Sequence, residues 1–151
     1  MFKLSTTAKE WISGIEKKLP FNVNLDLYYM FFLVGVLIGQ RSSDNHFSDL
    51  IRDFPSSYND HKKIIINFLL IAEQRKKAIP LDAKLRLREE ILEKCVDPER
   101  NTFSDYGFNL ANEYANAGFQ YLSEKIVTPQ NTSDFMTSYL EIIKELGSEI
   151  N

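Results

Sequence analysis

The sequence predicts an all-α fold: one compact domain over residues 1–151, a bundle of six or seven helices around a central apolar helix. Three observations carry this. Apolar residues recur at three- and four-residue intervals along most of the chain, the period of a helix rather than a strand. With 6 Gly and 5 Pro in 151 residues, little material is left for long irregular loops. The 13-residue segment Leu27–Gly39 (LYYMFFLVGVLIG) holds no charge. A membrane span needs about 20 apolar residues, so this segment reads as a core helix, apolar nearly all round. If the monomer does not cover it wholly, its free face becomes the natural surface for a homo-oligomer.

The first helix should begin after Ser5-Thr6-Thr7, where Thr7 and Glu10 have capping-box spacing. Ala8, Trp11, Ile15 and Leu19, with Ile12 as a substitute, form its apolar stripe, and Pro20 ends it. Asn22 or Asn24 can cap the second helix, Asp26 suits its positive end, and it runs to about Gly39. Gly35 and Gly39 form a G-x-x-x-G that permits close helix packing.

After the polar break at residues 40–45, a short helix is expected over His46–Phe54, with Phe47, Leu50, Ile51 and Phe54 inward and Pro55 as its stop. Asn59 or Asp60 caps a longer helix through about Lys77, whose core face is Ile64, Ile65, Phe68, Leu69 and Ala72. Beyond Pro80, a charged helix over roughly Ala83–Val96 turns Leu85, Leu87, Ile91, Leu92 and Cys95 inward. Residues 97–101 are a turn cluster. A helix over about Ser104–Ile126 follows, with the stripe Leu110, Ala111, Tyr114, Ala117, Gly118, Tyr121 and Leu122. Thr132 or Ser133 caps the last helix, which buries Phe135, Tyr139, Ile142, Ile143 and Leu146 and ends at Gly147.

Composition bounds the function. Hydrophobic residues at 44% and charged residues at 26% describe a globular chain. The lone Cys95 cannot form an internal disulfide and the N-terminus lacks a secretory signal, which points to the cytoplasm. His46 and His61 stand far from each other and from Cys95 in sequence, so no metal or other cofactor is expected. Cys95 lies on an apolar stripe, where thiols are usually inert. No G-x-S-x-G or G-x-x-x-x-G-K sequence occurs. Glu89, Glu90 and Glu93 sit among Arg86, Arg88 and Lys94, a pattern that solvated ion pairs explain. No catalytic residue is predicted, and the chain reads as non-enzymatic.

The remaining signals concern binding. The net charge of −3 argues against a surface coated with phosphate ligands, yet residues 62–100 hold ten Lys or Arg against seven Asp or Glu. Lys76, Lys77, Lys84, Arg86 and Arg88 are the candidate contacts to a DNA backbone, if the helices before and after Pro80 form a hairpin. A solvated helical face is the plainer alternative. Phe103, Tyr106, Phe108 and Phe119 are the candidate partner-binding rings, because Phe108 and Phe119 fall off the assigned core stripe.

The opening pattern Leu4-Ser5-Thr6-Thr7-Ala8-Lys9, followed by Asn24 and Tyr29-Met30-Phe31-Phe32, resembles the DndE family of small helical subunits of bacterial DNA phosphorothioation systems. The run from Asn112 to Leu122, with Ser133-Asp134-Phe135 after it, is similar to that family's C-terminal helices. The resemblance implies an accessory subunit working beside nucleases and an ABC-type or SMC-like ATPase in a DNA-modification or anti-phage defence complex. Such a subunit contacts DNA, or only holds larger protein partners together.

Overall fold

The computed structural model describes residues 1–16, 25–75 and 80–150. Leu19, Pro20, Asn22, Asn24, Lys76 and Lys77 lie outside the described residues. In chain order the elements are β1 (Phe2–Ser5), α1 (Thr6–Glu16), α2 (Leu25–Ile38), β2 (Phe47–Ile51), α3 (Lys62–Arg75), α4 (Leu81–Cys95), β3 (Val96–Asp97), β4 (Thr102–Phe103), α5 (Asp105–Lys125) and α6 (Thr132–Ile150). A 3₁₀ turn at Ser56–Tyr58 precedes α3. The chain is therefore mostly helical, with six α-helices and two small antiparallel strand pairs among the described residues.

The uncharged segment forms α2, which is buried along most of its length and packs against α5. The two backbones meet at glycines. A Cβ on Gly35 would stand 1.9 Å from the Tyr114 carbonyl oxygen, and one on Gly118 would stand 1.8 Å from that of Phe31. Gly39 closes α2 with φ +66. Its N–H donates to Val36 O, and Gln40 N–H to Gly35 O, both at 3.2 Å, the paired bonds that end a helix on a left-handed residue.

The helix expected over His46–Phe54 is instead strand β2. It pairs antiparallel with β1, setting Phe2 opposite Ile51, Lys3 opposite Asp49, Leu4 opposite Ser48 and Ser5 opposite Phe47. Phe2 and Leu4 are buried at two-residue spacing, and the N-terminal segment offers β2 a row of backbone partners. The helical spacing of Phe47, Leu50, Ile51 and Phe54 is a local preference, and tertiary pairing overrides it. The junction is fixed by Thr6, whose N–H and hydroxyl both donate to His46 O, at 3.0 and 3.1 Å.

Several helix ends differ from expectation by one to three residues. Ser5, not Thr7, caps α1, its hydroxyl accepting from Ala8 N–H at 3.1 Å. His61 O receives Ile65 N–H at 3.1 Å as α3 starts. Ser104 caps α5 by accepting from Gly107 N–H at 3.1 Å. Asn131 Oδ1 accepts from Asp134 N–H at 2.9 Å at the start of α6, which continues through Gly147 to Ile150. Residues 97–101 form the expected turn, with Asp97 Oδ1 accepting from Glu99 and Arg100 N–H between β3 and β4.

The core is rich in rings. Phe2 meets Tyr28, Phe54 and Phe108 edge-on, each at a centroid distance of 4.9 Å. Trp11 sits among Phe31, Phe119 and Phe135 at 5.7–6.2 Å. The stripe of α6 is buried at Phe135, Tyr139, Ile142 and Leu146. Helix α4 departs most from its predicted face. Of Leu85, Leu87, Ile91, Leu92 and Cys95, only Cys95 is buried. Leu87 and Ile91 are half-buried, while Leu85 and Leu92 are exposed. The helix rides on the outside of the bundle against α3 and α5, which leaves Leu81, Leu85 and Leu92 largely open to solvent.

Candidate interaction surface

Helices α3 and α4 form an antiparallel hairpin whose register is set by two hydrogen bonds. Gln74 Nε2 donates to Lys84 O at 3.2 Å, and Arg88 Nη2 donates to Asn67 Oδ1 at 3.1 Å. This pairing sets Leu85 level with Ile71, and Leu92 level with Ile64. All four are exposed: Ile64 45%, Ile71 40%, Leu85 59% and Leu92 42%. Leu81, at 73%, extends the row. Among the described residues eight large apolar side chains are exposed, and these five make a group, whereas Tyr106 on α5, Val127 between α5 and α6, and Leu140 on α6 lie elsewhere.

Helix geometry shows that the five share one face. At about 100° per residue, Leu81, Leu85 and Leu92 fall within about 40° of arc, and Ile64 and Ile71 within about 20°. The Arg88 side chain and the Lys84 carbonyl of α4 both reach α3. The leucines lie next to these two positions on the outer side. On α3, Asn67 and Gln74 face α4, while Ile65, Ile66, Leu69, Leu70 and Ala72 face the core. Ile64 and Ile71 are left pointing outward beside α4.

Charge is ordered across this face. Beyond the leucines, on the α4 edge away from α3, come Asp82, Glu89 and Glu93, grouped within about 40° of arc. Beyond the isoleucines, on the α3 edge away from α4, comes the exposed Arg75, level with Leu81 and Asp82. The face therefore runs from acid through two apolar rows to base.

The sequence-predicted sites distribute differently. Lys76 and Lys77 lie outside the described residues. Lys84, Arg86 and Arg88 are all exposed on α4, but Arg86 stands about 160° round the helix from Lys84. The three do not form one basic face, and α4 carries Asp82, Glu89, Glu90 and Glu93 against Lys84, Arg86, Arg88 and Lys94. Of the four rings expected at the surface, Phe103, Phe108 and Phe119 are core residues and only Tyr106 is exposed. Helix α5 is covered by α2, α4 and β1 on different sides, so positions off its main stripe are buried as well.

A polar node behind the hairpin has no signature in the sequence. Arg41 Nη1 lies 3.8 Å from Glu73 and 3.7 Å from Glu113, and the Tyr114 hydroxyl donates to Glu73 at 2.7 Å. Beside it is a cavity of about 140 Å³ lined by Glu73, Leu87, Glu90, Ile91, Lys94, Tyr106 and Leu110. Cys95 is close enough to feel Glu73, but burial, with that carboxylate adding to it, pushes the thiol up to about 11. It is protonated at neutral pH and is a poor nucleophile. Among the described residues, no group of three or more His, Cys, Asp and Glu side chains is placed to hold a metal ion. No described helix is long and apolar enough to cross a membrane.

Comparison of the chain with family models, curated proteins and solved structures finds no match.

Proposed function

We propose that this chain is a non-enzymatic interaction subunit that engages protein through the outer face of the α3–α4 hairpin. One observation carries the reading: among the described residues, five of the eight exposed large apolar side chains, Ile64, Ile71, Leu81, Leu85 and Leu92, lie on the paired helices α3 and α4. Exposed apolar residues scattered singly need no explanation, but a contiguous group bordered by charges is the usual signature of a binding surface. The chain's place in a bacterial DNA-modification or defence assembly is proposed on the motifs Leu4–Lys9, Tyr29–Phe32 and Asn112–Leu122 alone, which resemble those of DndE subunits.

A photo-reactive amino acid at Leu85 or Leu92 tests the reading in the cell that makes the protein. Cross-links to protein are expected from both positions and not from Leu140, an exposed leucine on α6. Absence of cross-links, or equal yield at Leu140, would remove the hairpin face as the binding surface.

A second reading, contact with a DNA backbone, draws on Lys84 and Arg88, exposed one turn apart on a single flank of α4. Phosphate binding needs such clustered cations. Four acids on the same helix and the remote position of Arg86 make this the weaker reading.

A further inference from the structure

Building on the reading of the hairpin as a binding surface, we infer that its partner is a second copy of this chain, packed face to face about a two-fold axis parallel to α3 and α4. The argument rests on how charge is arranged around the apolar rows. A two-fold contact places one surface against itself, so the surface must complement its own image. Two simple axes lie within the plane of this face. An axis perpendicular to the helices sets each α4 on the partner's α4, and brings the acidic edge of Asp82, Glu89 and Glu93 against its own copy. That arrangement is repulsive.

An axis parallel to the helices exchanges the two edges. Each α4 then lies over the partner's α3, and the leucine row meets the isoleucine row. The acidic edge passes over the edge that carries Arg75. Because Arg75 and Asp82 stand at the same level of the hairpin, the exchange brings each Asp82 to the partner's Arg75. The outcome is a four-helix core made from two hairpins, with apolar rows in the centre and an Asp82–Arg75 pair at each rim. Arg88 stays tied to Asn67 of its own chain, which occupies its guanidinium at the seam.

Sedimentation equilibrium of the purified full chain, with circular dichroism on every variant, tests this. Leu85 is already exposed in one copy, so Leu85→Lys should leave folding intact. The wild type should be a dimer, and Leu85→Lys should weaken it by at least about tenfold in dissociation constant. Asp82→Arg alone should weaken association, and Asp82→Arg combined with Arg75→Asp should restore it. A folded wild type that stays monomeric overturns self-pairing, as does a dimer that withstands Leu85→Lys. A dimer broken by Leu85→Lys but indifferent to the charge exchange overturns the parallel axis. If the wild type is monomeric while the photo-reactive probe at Leu85 captures another protein, self-pairing fails and the binding surface stands. If neither occurs, both fail.

Discussion

The Tyr28 hydroxyl donates to Asn112 Oδ1 at 2.8 Å inside the core, and Asn112 is only 2% exposed. The same oxygen accepts from Lys3 N–H at 3.0 Å, and Asn112 Nδ2 donates to Met1 O at 3.2 Å. One buried amide thus ties α5 to α2 and to the first residues of the chain. A satisfied amide costs little in the core, whereas an orphaned backbone group there costs about 1–3 kcal/mol. Asn112→Ala should therefore destabilise the fold by about 3 kcal/mol, since it strands a hydroxyl, an N–H and a carbonyl together. Tyr28→Phe removes a single donor and should cost about 1 kcal/mol. Urea unfolding of both variants checks this. Equal losses would show that Asn112 does not hold the strand.

Gly118 and Gly147 should respond to alanine in opposite directions. At Gly118 a methyl group would meet the Phe31 carbonyl oxygen at 1.8 Å, and backbone cannot move aside as a flexible side chain does. Separating α2 from α5 should cost about 3 kcal/mol, at the upper end of overpacking penalties. Gly147 lies within α6, and a Cβ there meets nothing within 4 Å. Gly147→Ala should stabilise by about 0.5–1 kcal/mol through helix propensity. Thermal melts of the pair decide it. A tolerated Gly118→Ala would mean that the helices do not cross so closely.

These glycines also mark what could be read from the sequence. The uncharged run of α2 has one physical outcome at its length, a buried helix, and small residues on α5 announce close packing. Phe108 and Phe119 fall off the α5 stripe yet are buried, because α5 is enclosed from several directions and a single stripe does not describe such a helix. Strand β2 is not legible locally, because its partner β1 lies more than 40 residues earlier and local spacing carries no trace of that pairing. Leu85 and Leu92 are expected inward beside Leu87, Ile91 and Cys95 but are exposed, because they stand about 100–160° round α4 from Leu87 and Ile91 and the bundle covers only that other face.

Stability should fall steeply in alkali. Burial raises the ionisation of Tyr28, Tyr58, Tyr114 and Tyr139 above the ordinary phenol value of about 10, and hydrogen bonds to Asp26 and Glu73 add to this for Tyr58 and Tyr114. The folded chain keeps these phenols protonated where the unfolded chain releases their protons. Their contribution is complete below about pH 10 and is lost as pH rises beyond it. Absorbance at 295 nm should show exposed tyrosines titrating first, with the buried four ionising only as circular dichroism reports unfolding. Ordinary titration of all 7 tyrosines with the fold retained would contradict their burial.

If DNA is bound, the pair Lys84 and Arg88 should carry the contact and Arg86 should not. The pair lies one turn apart on the flank beside α3, while Arg86 points elsewhere. Each phosphate contact adds about 0.9 to the slope of log affinity against log salt. Lys84→Ala with Arg88→Ala should lower that slope by about 2, whereas Arg86→Ala with Lys94→Ala, equal in charge removed, should leave it unchanged. Equal effects from the two variants would mean diffuse attraction without a site, and no binding by the folded wild type at low salt would remove the DNA reading. Arg88 lies at the seam that self-pairing would cover, so DNA and the second copy should also compete. Duplex that leaves the dimer intact while binding through this flank would show that the hairpin packs in a different arrangement.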